Sequence, residues 1–148
     1  MNSPESNTIV VRPVDESDLN SIDVFIQPFV ASGKLLRRTF DELAELIEHA
    51  FVAELEGKMV GFVALEIYSA KLAEIRSLAV DPACQGQGIG KQLVAACVAQ
   101  AKRRNILEVM AITSADSFFM DCGFDFTLPG EKKALFIQTR TSTPKHDS

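Results

Sequence analysis

The chain has 148 residues, 47% of them hydrophobic and 24% charged, with a formal net charge of −5. That length suits a single domain able to bury roughly two-thirds of its unfolded surface, and the acidic balance argues against nucleic acid as the main partner. No apolar run approaches the ~20 residues that span a bilayer, so no membrane partner is expected. The polar stretch from Met1 to Asn7 lacks the basic and apolar regions of a signal peptide, which points to the cytoplasm. Cys84, Cys97 and Cys122 are odd in number and lack metal-ligand spacing, so free thiols and no metal are expected.

Residues 1–7 read as a disordered tail. Thr8 to Arg12 is a short β-branched run closed by Pro13, and Asp15 then caps a helix that aligns Leu19, Ile22 and Ile26 on one face. Thr39-Phe40-Asp41-Glu42 has capping-box spacing, and Leu43, Leu46, Ile47 and Ala50 recur at helical period, which predicts a second helix. Phe51 to Leu55, a turn at Glu56-Gly57-Lys58 and Met59 to Glu66 read as a hairpin, with Leu72 to Val80 as the next strand. Three adjacent antiparallel strands follow. A long helix is predicted from Leu93 onward, with Ile89, Leu93, Cys97 and Ala101 sharing a face and Lys102, Arg103 and Arg104 at its negative end. Then come a strand at Glu108 to Ile112, a short helix near Ser117 to Asp121 stopped by Gly123, and a last strand around Ala134 to Thr139. Because the strand ending at Val80 leads through a helix into another strand, those two should be parallel neighbours. The expected fold class is α/β with a mixed sheet flanked by helices, occupying 8–140, and 141–148 reads as a polar tail.

Between strand and helix lies Gln85-Gly86-Gln87-Gly88-Ile89-Gly90-Lys91, the feature that implies a ligand. Glycines at alternate positions expose consecutive backbone N–H groups at a helix start, where unpaired donors and the positive dipole end favour a phosphate or pyrophosphate. A tight turn needing only positive φ is the plainer alternative. A Walker loop fails, because Gln92 follows Lys91 where Ser or Thr should hold magnesium and Gln85 stands at the first glycine place. A dinucleotide fingerprint is weak too: its third glycine place falls on Lys91, and Glu108 begins a strand rather than ending one.

Val80-Asp81-Pro82 followed by Gln85-Gly86-Gln87-Gly88-Ile89-Gly90 resembles the acetyl-CoA loop of the GNAT superfamily of N-acetyltransferases, (Gln/Arg)-x-x-Gly-x-(Gly/Ala), matched by Gln85, Gly88 and Gly90. The resemblance covers roughly Ile9 to Arg140 and implies the GNAT fold, in which the strands before and after the loop helix splay apart to admit CoA. It implies acetyl-CoA as cosubstrate, its pyrophosphate on the amides of Gln85, Gly86, Gln87, Gly88, Ile89, Gly90 and Lys91 and its pantetheine arm along Leu78, Ala79 and Val80. Glu74 matches a position where several members place a general base; an exposed strand carboxylate, or a salt-bridge partner of Arg76 on the same side of the strand, is the structural alternative. A backbone N–H near Leu78 to Val80 is expected to stabilise the carbonyl oxygen. Many members place a tyrosine acid four residues before a Gly-Phe pair, but Phe119 stands there ahead of Gly123-Phe124, and the only tyrosine, Tyr68, is elsewhere in the chain. Phe119 is expected to pack instead.

Leu35-Leu36-Arg37-Arg38-Thr39, Glu74 to Val80, Phe119, and the run from Leu128-Pro129-Gly130 to Phe136 are together similar to the bacterial N-acetylglutamate synthases. That resemblance implies transfer to the α-amine of glutamate at the head of arginine synthesis, with Arg38 on a substrate carboxylate and Arg140 as a second basic contact. No amino-acid kinase domain precedes the chain, so the short, stand-alone form is expected. Independently, Arg37 and Arg38 sit just before the Thr39 cap, at the positive end of a helix dipole, where each cation is unfavourable by roughly 0.3–1 kcal/mol. That placement suits an anion, and a guanidinium fork takes a carboxylate in two parallel bonds; two solvated loop arginines are the alternative. Another small amine, a protein N-terminus, or acetyl-CoA binding without turnover remain competing readings, and a homodimer is one assembly open to the chain.

Overall fold

The computed structural model describes residues 8–126 and 134–139. Five strands form one sheet in chain order: β1 (Ile9–Pro13), β2 (Ala50–Leu55), β3 (Lys58–Ile67), β4 (Leu72–Val80) and β5 (Glu108–Met110). The first four pair antiparallel and β5 joins β4 in parallel, as the strand, helix, strand order requires. The β2–β3 hairpin turns where Glu56 and Gly57 both take positive φ, the geometry whose twist suits a two-residue loop.

The helices are α1 (Leu19–Ala31), α2 (Phe40–Leu46), α3 (Ile89–Arg103) and α4 (Asp116–Asp121). Asp15 caps a short 3₁₀ turn that runs into α1. The capping box predicted for α2 is present, Glu42 N–H donating to Thr39 Oγ1 at 3.1 Å and Thr39 N–H to Glu42 Oε1 at 2.7 Å. On one face of the sheet α1 and α2 bury Ile22, Ile26, Leu43 and Leu46 against Val52, Phe62, Ala64 and Ala79. On the other face α3 buries Ile89, Leu93, Val94, Cys97 and Ala101 against Ala53, Val63, Leu65 and Ile75. Gly61 permits that second contact to be close, since a Cβ there would lie 2.8 Å from Leu93 Cδ1 and 3.1 Å from Ile89 Cγ2.

Three differences from the sequence reading bear on the site. The α3 helix begins at Ile89, not Leu93: Gly88 caps it at φ +77°, and Gly90 lies inside its first turn. Residues 134–139 form no strand, because none of them enters a ladder and β-propensity alone does not hold an extended segment. Strand β4 carries a bulge: Arg76 pairs with Ala64 and Ala79 with Phe62, so Ser77 and Leu78 together oppose one residue of β3. Ser77 takes φ +58° to make it. Strict alternation from Glu74 and Arg76 would put Leu78 on the α1–α2 face; instead Ala79 packs there, and Leu78 and Val80 turn towards α3. No helix among the described residues is long and apolar enough to cross a membrane.

Arg12 ties the sheet edge to α1, donating to both Asp18 oxygens at 2.8 and 2.9 Å and to both Glu54 oxygens at 3.1 and 3.2 Å. Its hydrogen bonds hold the Asp18 carboxyl down to about 2. The stabilisation is therefore complete above the unfolded carboxyl value, about 3.9, and is lost as pH falls towards 2. Asp18→Asn should lower stability at neutral pH by about 1.5–3 kcal/mol, the range for hydrogen bonds to charged groups. Urea midpoints of variant and parent should converge as the pH drops below about 4.

Candidate active site

Strands β4 and β5 pair only from Leu72 with Glu108 to Glu74 with Met110. Beyond that point they part, and β4 runs on to Val80 with β3 on one side only. The gap opens into a cleft of about 1170 Å³ lined by Glu74 to Leu78, by Ala111 to Ala115, by Phe118 and Phe119, by Gly33 to Leu36, and by Ile137 to Thr139. The free edge of β4 past Glu74 offers unpaired backbone N–H and C=O groups to it, which is what an extended amide-bearing arm or a carbonyl oxygen needs.

The glycine loop leaves the C-terminal end of β4. Asp81 folds the chain back by accepting from Ala83 N–H at 3.0 Å, and Gln85 Nε2 donates to Val80 O at 3.3 Å. Gly86 and Gly88 hold φ +83° and +77°, in open space where a Cβ would touch nothing. Their need is thus conformational. Gly90 differs: its φ is ordinary, but a Cβ would lie 3.1 Å from Phe118 Cζ in the cleft wall. The first helical bond runs from Gln92 N–H to Gly88 O at 3.1 Å, so the amides of Ile89, Gly90 and Lys91 have no intrahelical acceptor. These donors stand at the start of a 15-residue helix beside the cleft, an arrangement of the kind that suits an anion.

Glu74 is the last β4 residue paired to β5 and, with Ser77, one of two buried polar residues among those described, at 7% exposed. It is neither a surface carboxylate nor the main partner of Arg76, whose Nη1 donates to Glu66 Oε1 at 2.8 Å and lies 3.7 Å from Glu74 Oε1. Its hydrogen-bond donor is Tyr68, whose hydroxyl lies 2.5 Å from Glu74 Oε1. The sequence reading set Tyr68 aside as remote; the β3–β4 hairpin brings it back. Glu66 pairs with Glu74 and Ile67 with Ala73, so Tyr68, whose N–H donates to Leu72 O, is the diagonal neighbour of Glu74. The hairpin signal at Ser69-Ala70-Lys71 held that information, but only once its register is known.

Arg38 is half-buried just ahead of α2, and its Nε has no hydrogen-bond partner, the only buried side-chain nitrogen or oxygen in that condition among the described residues. Burial pushes the guanidinium below its ordinary range and the nearby charge of Arg76 adds to the effect, with Glu66 and Glu42 opposing it. The structure thus places Arg38 in the same charged cluster as Glu66, Tyr68, Arg76 and Glu74. Arg140 lies outside the described residues. Phe119 is 8% exposed and stacks edge-on against Phe118 and Phe124, at centroid distances of 5.0 and 5.3 Å, so it is wall rather than acid. No group of three His, Cys, Asp or Glu among the described residues is arranged to hold a metal.

Residues 18–124 match the model of the acetyltransferase (GNAT) family. An uncharacterised N-acetyltransferase of Chlorobaculum tepidum is 33% identical over 121 residues, covering 82% of this chain and 77% of its own. An amino-acid acetyltransferase of Mycobacterium tuberculosis is 36% identical over 119 residues, covering 78% of this chain and 67% of its own. Among solved structures, N-acetylglutamate synthase of Neisseria gonorrhoeae, complexed with coenzyme A and N-acetyl-glutamate, superposes with a TM-score of 0.69 at 27% identity. That match covers 77% of this chain but only 27% of the longer synthase. A splayed sheet, a glycine loop on the free end of β4 and a family match over most of its length together make this chain a member of the GNAT family, an acetyl-CoA-dependent N-acetyltransferase.

Proposed function

We propose that the enzyme acetylates the α-amine of a small amino acid, with L-glutamate the favoured acceptor, as the N-acetylglutamate-forming step of cytoplasmic arginine synthesis. One observation carries the reading: Arg38, half-buried and with no partner for its Nε among the described residues, lies near Arg76, Glu66 and Tyr68, the groups that surround the buried carboxylate of Glu74 on the cleft. Arg38 suits a substrate carboxylate and Glu74 a substrate amine. Relatives named amino-acid acetyltransferases, and a structural neighbour holding N-acetyl-glutamate beside CoA, support the same assignment.

In this reading the amides from Gln85 to Lys91 hold the CoA pyrophosphate, and the free edge at Leu78, Ala79 and Val80 takes the pantetheine arm. Arg38 anchors the acceptor's carboxylate, and Arg140 is a second basic contact. Glu74 removes a proton from the amine, whose nitrogen lone pair then forms the bond to the thioester carbon. Negative charge gathers on the carbonyl oxygen against a backbone N–H of the Leu78 to Val80 edge. The C–S bond breaks to release CoA as a thiolate. A thiol of pKa near 8.5 is a tolerable leaving group, which is compatible with Phe119 standing where a tyrosine acid is common.

Thiol release measured over a panel of amino acids and amines tests the assignment; preference for an amine without a carboxylate would refute the amino-acid part and spare the transferase. Gly88→Val forces a β-branched residue to φ +77°. Calorimetry should show acetyl-CoA binding abolished in a protein that still folds. Glu74→Gln should lower kcat by about 10²–10⁴-fold, the usual loss of a general base, with acetyl-CoA affinity retained. Retention of more than about a third of the parent turnover would return Glu74 to a structural role. Arg38→Ala should raise the glutamate KM by the equivalent of about 1.5–3 kcal/mol and leave acetyl-CoA affinity alone, while Arg38→Lys recovers part of the loss.

A further inference from the structure

The two oxygens of Glu74 are not equivalent. Oε1 accepts the Tyr68 hydroxyl at 2.5 Å, within the range of charge-assisted O–H···O bonds. Oε2 accepts no hydrogen bond from any described residue, yet it is not among the buried unpartnered atoms, where Arg38 Nε stands alone. Glu74 helps to line the cleft, and Oε2 is the one of its two oxygens that receives no donor among the described residues. The other charges around the carboxylate also leave Oε2 alone: Arg76 on the same strand donates to Glu66 across the hairpin and lies 3.7 Å from Oε1, and Arg38, from the segment before α2, faces Arg76 and Glu66.

We propose that Tyr68 is a positioning residue for Glu74: its hydroxyl holds Oε1 so that Oε2 alone is presented to the acceptor amine as the proton-accepting oxygen. This rests on Glu74 being the base. In the step itself the proton leaves the amine nitrogen and bonds to Oε2, the nitrogen keeps the electron pair, and the Tyr68 O–H bond stays intact throughout. Burial and the Glu74 hydrogen bond push the Tyr68 phenol up to about 12, so at neutral pH it remains a donor and never competes for the proton. Without it a carboxylate on a strand can turn about its last torsion, and a turned carboxylate no longer presents one oxygen to a fixed nucleophile.

A cycle of Tyr68→Phe, Glu74→Gln and the double variant tests this. Tyr68→Phe keeps the ring and removes one donor, so kcat should fall by about 10-fold or more, the loss of one charged hydrogen bond, while the acetyl-CoA KM stays within about two-fold. In the Glu74→Gln background the same substitution should change kcat by less than about two-fold, because Tyr68 acts through Glu74. An unchanged kcat in Tyr68→Phe beside an inactive Glu74→Gln overturns the positioning role and leaves the base assignment standing. Equal losses in both backgrounds overturn it as well, whereas an active Glu74→Gln defeats the base assignment itself.

A second measurement reads the hydrogen bond by titration rather than by turnover. With one tyrosine and no tryptophan, the near-ultraviolet ionisation of the phenol reports Tyr68 alone. Its midpoint should stand near about 12 in the parent and fall in Glu74→Gln. A parent midpoint at the free-phenol value, about 10, would show that the hydrogen bond is absent.

Discussion

Everything at the site depends on the place where β4 stops pairing with β5. Three parallel pairs hold the two strands together, and past Glu74 and Met110 they separate. An edge of unpaired backbone is costly if it is buried dry, so the gap persists only where water or a ligand's own amides satisfy it. The Ser77 bulge belongs to the same device. A non-glycine residue at φ +58° stores strain of order 1–2 kcal/mol, and it turns Leu78 and Val80 towards α3 as the strand approaches the glycine loop. The position of Glu74 follows from both. It is deep enough in the ladder to be buried and last enough in it to meet the cleft.

The charged cluster on the α1–α2 face balances unevenly. Glu66 has Arg76, and Glu74 has Tyr68, but Arg38 Nε has no hydrogen-bond partner among the described residues. Taking a guanidinium partly out of water without giving it an acceptor works against folding. In the proposed reading that desolvation would be recovered when the acceptor's carboxylate arrives, so binding energy would already be stored in the unliganded protein. Phe119, by contrast, contributes only shape. Together with Phe118 it fixes one wall of the cleft, and Gly90 lets α3 approach that wall.

Much of this was legible in the amino-acid sequence where local pattern decides local structure. The Thr39-Phe40-Asp41-Glu42 box, the buried face of α3 and the limits of β4 follow from spacing alone, as does the place of the glycine loop between β4 and α3. What stayed hidden depends on pairing between distant residues. Serine carries no signal of left-handed backbone in the middle of a strand, so the bulge could not be anticipated. Tyr68 meets Glu74 only through the register of the β3–β4 hairpin. The reverse error occurred at Ala134 to Thr139, where β-prone residues suggested a strand but a strand needs a neighbouring ladder as well as propensity. Gly88 and Gly90 together looked like loop, which delayed the expected start of α3, although only Gly88 is left-handed.

The two hydrophobic cores lie on opposite faces of the sheet, and in the proposed reading the reaction's two partners would divide along the same plane. The α3 core carries the glycine loop, whereas the α1–α2 core carries the segment of Arg38 and the face on which Glu74 sits. Sites that share no side-chain contacts accumulate substitutions nearly independently. The acceptor half can therefore drift towards a new amine while the donor half keeps its cosubstrate, and one sheet can serve a lineage whose members agree on what they give and differ in what receives it.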